Sequence, residues 1–309
     1  MNIGNTYIKD LTKDLNGECF FNSEMAPLTW LKSGGKADIF FLPYNATDLK
    51  KFLTNLKTNT PIYILGAGSN TLFRDLGYKG VVIKLSKNFD YIDIINKNEV
   101  RVGASTNCIK LARILAQKGA TGLEFFSGIP GTVGGAIKMN AGAYKNETSD
   151  FLREIKVMNR KGQIKSIFSK NYKSGYRKTN YPNDYIFLEA IFQYKENKNI
   201  KQNLRKIEEL VRKRKLTQPI SEKTSGSTFK NTKNIKAWKL INKTGCNHYK
   251  VGKAKISEKH SNFIINEGGA SSKDIEELGE KVRKQVWEKL KVNLDWEIKI
   301  VGEKFKDVE

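Results

Sequence analysis

The chain has 309 residues, 39% of them hydrophobic, so it can bury a sizeable core and suits two or three domains. Its formal charge is +23, but 45 lysines against ten arginines, spread along the whole chain, form a compositional bias and not a patch built for phosphate forks, which argues against a nucleic-acid partner. No run of 18 apolar residues is present, the start MNIGNTYIKDL shows no secretory signal, and three scattered cysteines with two histidines give no disulfide framework or His-rich metal site, so a cytoplasmic protein without a metal is expected.

In chain order, Met1 to Asn22 reads as a short helical lead, and Thr29 to Leu42 as two short strands turned at Ser33-Gly34-Gly35. Leu49 to Asn55 has helical spacing. Ile62 to Leu65 and Val81 to Leu85 read as strands on either side of Gly66-Ala67-Gly68-Ser69-Asn70. A strand that ends in such a loop can wrap successive backbone N–H groups around a phosphate. No third glycine follows at the offset of a dinucleotide fingerprint. Phe89 to Ile95 and Glu99 to Val102 alternate as edge strands about Asn96-Lys97-Asn98, and Cys108 to Lys118 is a helix closed by Gly119.

Gly122 to Tyr144, GLEFFSGIPGTVGGAIKMNAGAY, is the most unusual stretch. Its six glycines argue against a stable helix, since each costs about 1 kcal/mol against alanine. Leu123, Phe125, Phe126, Ile129, Val133, Ile137 and Met139 nevertheless call for burial. A buried backbone without side chains in the way suits a flat or phosphorylated ligand pressed against main-chain N–H groups. A tight structural crossing is the alternative.

Phe151 to Asn159 and Gln163 to Phe168 form a hairpin about Arg160-Lys161-Gly162, followed by a strand over Ile186 to Tyr194. Asn199 to Lys215 reads as a solvated helix marking a domain boundary, and Thr217 to Lys230 as a loop. Then come a helix over Ala237 to Thr244 ended by Gly245, a strand over Phe263 to Ile265, a helix over Ser272 to Lys291 capped by Ser271 or Ser272, and a final strand over Leu294 to Val301. In that last strand Leu294, Trp296, Ile298 and Ile300 share one face, Asp295 and Glu297 the other. The pattern is α+β.

Leu28 to Asp38 (LTWLKSGGKAD), Leu65 to Asp75 (LGAGSNTLFRD) and the glycine-rich stretch together resemble the UDP-N-acetylenolpyruvoylglucosamine reductases. The resemblance continues through Gly175-Tyr176-Arg177, Gly226-Ser227-Thr228-Phe229-Lys230-Asn231, Lys259-His260-Ser261-Asn262-Phe263 and Leu294-Asp295-Trp296-Glu297, in the family's order. It implies a flavin-binding region of two subdomains of the vanillyl-alcohol-oxidase (PCMH) type over 33–198, with 1–32 packed on it, and a C-terminal α+β substrate-binding domain over 199–309. There is no room for an additional tyrosine loop, so the shorter form is assigned.

The resemblance also implies non-covalent FAD, NADPH as hydride donor and an enolpyruvyl UDP-sugar as acceptor, in the step completing UDP-N-acetylmuramate for the cell wall. Hydride transfer leaves charge beside the substrate carboxylate, which needs a cation and a proton donor. Arg177 matches the cation, Ser227 the proton donor and Glu297 the catalytic acid. Gly66, Ala67, Gly68, Ser69, Asn70, Gly128, Ile129, Pro130, Gly131, Thr132, Gly134, Gly135, Ala136 and Asn140 match the cofactor surface. Tyr176, Lys215, Phe229, Lys230 and Asn231 are candidates for the nucleotide sugar. Two positions depart from the family: Thr179 stands where serine is usual and keeps a hydroxyl, and Thr232 stands where proline is usual, which weakens the match of this loop. Another sugar oxidase of the vanillyl-alcohol-oxidase group and a basic nucleic-acid binder are the competing readings.

Overall fold

In a computed structural model, which describes residues 10–304, the chain divides into two compact units. One holds the chain up to Phe21, Ile39–Ala67 and Gly80–Lys213. The other holds Asn22–Asp38, Gly68–Lys79 and the chain from Arg214 onward. Both mix helix and strand, as α+β implies.

In the first unit, Ile62–Ile64 pairs in parallel with Tyr78–Ile83, so the chain leaves a sheet directly into the Gly66 loop. The helix Ala46–Asn55 covers this sheet, with Phe52 stacked 4.0 Å from Phe41 between ring centroids. It starts three residues before Leu49 because the Asn45 side chain accepts the Asp48 N–H (2.9 Å). A five-stranded antiparallel sheet runs in the order Ile164–Phe168, Leu152–Met158, Ile186–Gln193, Glu99–Gly103, Ile92–Asn96. Its buried face (Val100, Val102, Ile155, Val157, Phe192) packs with Leu111 and Leu115 of the helix Cys108–Gln117 and with Val133 and Ile137. The helix Ile200–Thr217 buries Ile207 in the same core and leaves its basic face in water.

In the second unit, Lys250–Val251, Ala254–Ile256 and Ile264–Asn266 form an antiparallel sheet. The helices Ala237–Lys243 and Ser272–Leu290 share its core through Leu240, Ile241, Ile275, Leu278, Val282 and Val286. Of the two candidate caps Ser271 is the one used, accepting the Asp274 N–H while Asp274 accepts the Ser271 N–H (3.0 Å each). Among the described residues no helix is long and apolar enough to cross a membrane.

Four expectations are corrected. The helical lead over Met1 to Asn22 lies outside the described residues up to residue 9; residues 10–12 are helical, but Glu18–Glu24 is a strand, paired beside Lys36–Leu42. The first strand expected within Thr29 to Leu42 is absent: residues 29–31 form a turn that follows the 3₁₀ turn Ala26–Leu28, and Lys32 takes a left-handed φ of 53°. Gly122 to Tyr144 does contain a helix, Val133–Met139, for reasons given below. The final strand shrinks to Lys299–Val301, because residues 295–299 divide their backbone between partners: Glu297 N–H donates to Thr228 O (2.8 Å), Lys299 N–H to Asn70 O (2.9 Å). Its face pattern partly persists, with Leu294 and Ile298 buried and Asp295 exposed.

Candidate active site

In the first unit the glycine-rich stretch folds as a 3₁₀ turn, Glu124–Gly128, then Ile129-Pro130-Gly131, then the helix capped by Thr132. The helix survives its glycines because its orphan N–H groups find fixed acceptors. Val133 donates to Thr106 O and Gly134 to Ala104 O (2.9 Å each), and Gly135 donates to Thr132 Oγ1 (3.3 Å). A Cβ on Gly134 would sit 3.2 Å from Ala104, so glycine is what lets this contact close. Gly135 differs: it is exposed, and a Cβ there would meet only Thr132 Oγ1, at 3.5 Å. Packing within the chain does not demand a glycine at that position.

Within this unit Gly66 lies against the second glycine loop, since a Cβ on Gly66 would lie 2.8 Å from Thr132 Oγ1. Among the described residues the amide N–H groups of Gly66, Ala67, Gly68, Ser69 and Asn70 donate to no protein acceptor, and the Ser127 hydroxyl, in a residue only 2% exposed, has no partner. Successive unengaged amides suit a phosphate group, and a helical glycine without a Cβ leaves backbone open to a flat ring. Gly128, Ile129, Pro130, Gly131 and Thr132 are half-buried along this surface, and Ala136 is buried beneath it.

Arg177 belongs to the same unit. It sits in the turn of a small hairpin, Ser174–Gly175 with Lys178–Thr179, at a left-handed φ of 55°. Its Nη2 donates to Gly142 O (3.0 Å), and its guanidinium carbon lies 5.0 Å from the exposed Tyr176 ring. Asn140, 1% exposed and left-handed, is engaged at both ends: its Nδ2 donates to Gly175 O (3.1 Å) and its Oδ1 accepts from Ser149 N–H (2.9 Å). The Thr179 hydroxyl donates to Lys138 O (3.1 Å). Asn140 and Thr179 therefore dock the arginine hairpin on the end of the glycine helix.

Glu124, missed in the sequence, fastens the start of the stretch. Its carboxylate accepts from Thr121 Oγ1 and Gly122 N–H (2.7 Å each), and Lys206 Nζ lies at 3.2 Å. Burial pushes its pKa up, but these hydrogen bonds and Lys206 prevail and hold the carboxyl below its ordinary value.

In the second unit Lys230, Glu297 and Asn70 join one hydrogen-bond network with Thr228, the residue after Ser227. Phe229 and Trp296 form an isolated antiparallel bridge with rings 5.1 Å apart. Thr228 O accepts Glu297 N–H and Asp295 O accepts Lys230 N–H (2.8 Å each). Asn70 Nδ2 donates to Glu297 O (3.0 Å). Ser227, Lys230 and Glu297 are half-buried. Phe229 is 1% exposed and lies in the core, so any contribution it makes to substrate binding passes through its neighbours. Lys215 is exposed and apart from this network; its carbonyl accepts Lys259 Nζ (2.6 Å). Asn231 Oδ1 accepts Ala237 N–H (3.0 Å) at the start of the next helix. Lys299, which sequence reasoning did not single out, is exposed in area, yet burial of its surroundings and nearby Lys230 hold its pKa below the usual lysine value, with Glu297 opposing.

Thr232, where the family usually has proline, closes a local turn with Ile235. Its N–H, which proline would lack, donates to Ile235 O (3.1 Å), and its Oγ1 both donates to Ile235 O (2.9 Å) and accepts Ile235 N–H (3.1 Å). Asn262, quoted above only within a motif, holds the backbone of Phe229. Its signal was a polar residue beside an apolar run. Among the described residues no cluster of three or more His, Cys, Asp or Glu could hold a metal.

Comparison with known proteins bears on both units. A family profile described as FAD binding domain matches residues 37–167, and one described as UDP-N-acetylenolpyruvoylglucosamine reductase, C-terminal domain, matches residues 218–301. The UDP-N-acetylenolpyruvoylglucosamine reductase of Orientia tsutsugamushi (strain Ikeda) is 44% identical over 295 residues, covering 94% of this chain and 96% of its own. That of Rickettsia akari is 44% identical over 289 residues, covering 93% and 97%. The crystal structure of the reductase from Thermus caldophilus superposes with a TM-score of 0.80 at 33% identity, over 93% of this chain and all of that one.

Proposed function

The chain belongs to the UDP-N-acetylenolpyruvoylglucosamine reductase family, and from that membership we propose that it reduces the enolpyruvyl group of UDP-N-acetyl-3-O-(1-carboxyvinyl)-glucosamine to give UDP-N-acetylmuramate, using FAD and NADPH. The structural observation that carries the reading is the run of unengaged amides at Gly66 to Asn70, whose first glycine abuts Thr132 of the second glycine loop. Bound FAD supplies the relay of hydride from the nicotinamide donor to the enolpyruvyl carbon.

The chain's own residues do the rest. The amides of Gly66, Ala67, Gly68, Ser69 and Asn70 would hold the diphosphate, and Gly128 to Thr132, Gly134, Gly135 and Ala136 would form the surface for the rings, with Asn140 bracing the end of that helix. Arg177 offers two parallel N–H donors to the substrate carboxylate, where negative charge grows as hydride arrives at the terminal carbon. Ser227 gives its proton to the neighbouring carbon, so hydride and proton together saturate the double bond. Glu297 acts as the partner acid. Lys230, Lys215, Asn231 and Tyr176 serve the nucleotide sugar. The flavin role falls to 33–198 and the substrate role to 199–309. We also propose a monomer, located in the cytoplasm, whose reducing conditions suit the three free thiols; burial pushes the pKa of one, Cys19, up to about 12.

The test is the purified protein's cofactor and half-reactions. Denaturation should release FAD, identified by chromatography; FMN or no flavin overturns the reading. NADPH should bleach the flavin, and the enolpyruvyl UDP-sugar should restore it. Ser227→Ala should keep the bleaching and lose turnover by roughly 10²-fold to 10⁴-fold.

A further inference from the structure

We propose that Asn262 is a positioning residue for the proton donor, holding Ser227 in place by clamping the peptide groups that follow it. The proposal rests on the reading of Ser227 given above. Asn262 is 3% exposed. Its Nδ2 donates to Phe229 O (2.8 Å) while its Oδ1 accepts Phe229 N–H (3.0 Å), a reciprocal pair between one carboxamide and one residue's backbone. Its own carbonyl accepts Thr228 N–H (2.8 Å). Thr228 is fixed twice more, through Oγ1, which accepts Ile264 N–H (3.2 Å), and through its carbonyl, which accepts Glu297 N–H (2.8 Å). Asn262 is thus the point at which the Ser227 segment, the Glu297 segment and the sheet strand Ile264–Asn266 are tied together.

Only a carboxamide of this length can do so. An aspartate offers two acceptors and would set an oxygen against Phe229 O; an aliphatic side chain would leave both Phe229 groups buried and unpaired. The Asn262 backbone has its own anchor, since its main-chain N–H donates to His260 Nδ1 (3.3 Å), and burial lowers the His260 pKa, favouring the neutral ring that can accept. The other side of Ser227 has no comparable hold. Gly226 is left-handed (φ 75°) with open space where a Cβ would go, and the buried Thr224 and Ser225 hydroxyls have no partner among the described residues. The serine's position is therefore set from its C-terminal side.

A clamp acting through Ser227 affects only the step that needs the hydroxyl. In the FAD-loaded enzyme, Asn262→Ala should slow flavin reoxidation by the enolpyruvyl UDP-sugar by about 10-fold to 100-fold, the scale of a donor displaced by an ångström. Reduction by NADPH should stay within about threefold of wild type, because it does not use this proton. Asn262→Asp, which keeps the acceptor but sets an oxygen against Phe229 O, should show the same split, and FAD binding and NADPH reduction near wild type in either variant show that it folds. Added to Ser227→Ala, Asn262→Ala should slow reoxidation no further than about twofold, since both changes remove one hydroxyl's action. Equal slowing of the two half-reactions, or additive losses in the double variant, overturns the clamp while leaving the serine's role intact. Near-wild-type turnover of Ser227→Ala removes the serine reading, and the clamp with it.

Discussion

Arg177 owes its place to a conformation few arginines adopt: a left-handed turn residue whose hairpin is held down by Asn140 and Thr179. Lysine there would keep the charge and lose the planar fork. Arg177→Lys should slow flavin reoxidation by substrate by roughly 10-fold to 100-fold, the worth of a charge-assisted hydrogen bond, and leave reduction by NADPH nearly unchanged; stopped-flow traces of both half-reactions check this. Equal slowing would mean that the arginine merely supports the fold through Gly142 O. Gly135 permits a test of opposite signs. It lies in a helix, exposed and uncrowded, so Gly135→Ala should stabilise the flavin-free protein by about 1 kcal/mol. The same methyl should weaken FAD if a ring or phosphate lies against that backbone. Melting of the apoprotein together with FAD titration separates the two effects, and unchanged FAD affinity would remove Gly135 from the cofactor surface.

At the scale of elements, the helix Val133–Met139 shows where sequence reading reached and where it stopped. That the stretch serves a backbone-facing site was legible in its glycines and absent charges. That it contains a helix was not, because the acceptors at Ala104 and Thr106 that close its first turn lie some thirty residues upstream and leave no mark in a local pattern. The final strand failed similarly, its hydrogen bonds divided between Thr228 and Asn70, both far away in sequence. The hairpin about Gly162 and the cap at Ser271 were legible because their determinants are local: a left-handed glycine (φ 73°) and a reciprocal Ser–Asp pair. Arg177, Ser227 and Glu297 were visible only through the family motifs around them, and Glu124 was not visible at all. Glu124 carries a prediction of its own. Its folded pKa is depressed, so its contribution is present above the unfolded carboxylate value, about 4.3, and is lost as pH falls through the lower folded value. Glu124→Gln should therefore lower the melting temperature at pH 7, and the gap from wild type should narrow on acidification below about pH 4. A gap that stays constant with pH would show that the carboxylate's charge is irrelevant to holding Gly122 and Lys206.

For the molecule as a whole, charge is the dominant feature. With 55 cations and 32 acids, at least 23 cations have no acid of their own (55 − 32), and the acids are shared: Glu267 holds Lys250 (2.6 Å) and Lys255 (3.1 Å), and Glu189 holds Lys156 (2.8 Å), Arg101 (3.7 Å) and the Tyr91 hydroxyl. The unshared surplus sets up a positive field over the surface. Both proposed substrates are anions with several charges, so the field should raise their encounter rate without changing the chemistry once they are bound. Screening acts on that field first, because the Debye length shrinks to about 3 Å at 1 M salt. Raising ionic strength from about 0.05 to 0.5 M should therefore lower kcat/KM for the UDP-sugar by roughly 3-fold to 10-fold while kcat holds, the signature of steering and not of a weakened active site. The control is duplex DNA: scattered lysines should bind it only weakly and without sequence preference, and that binding too should vanish with salt. A flat kcat/KM across the same range would mean that the +23 charge is compositional and does not assist capture of the nucleotide.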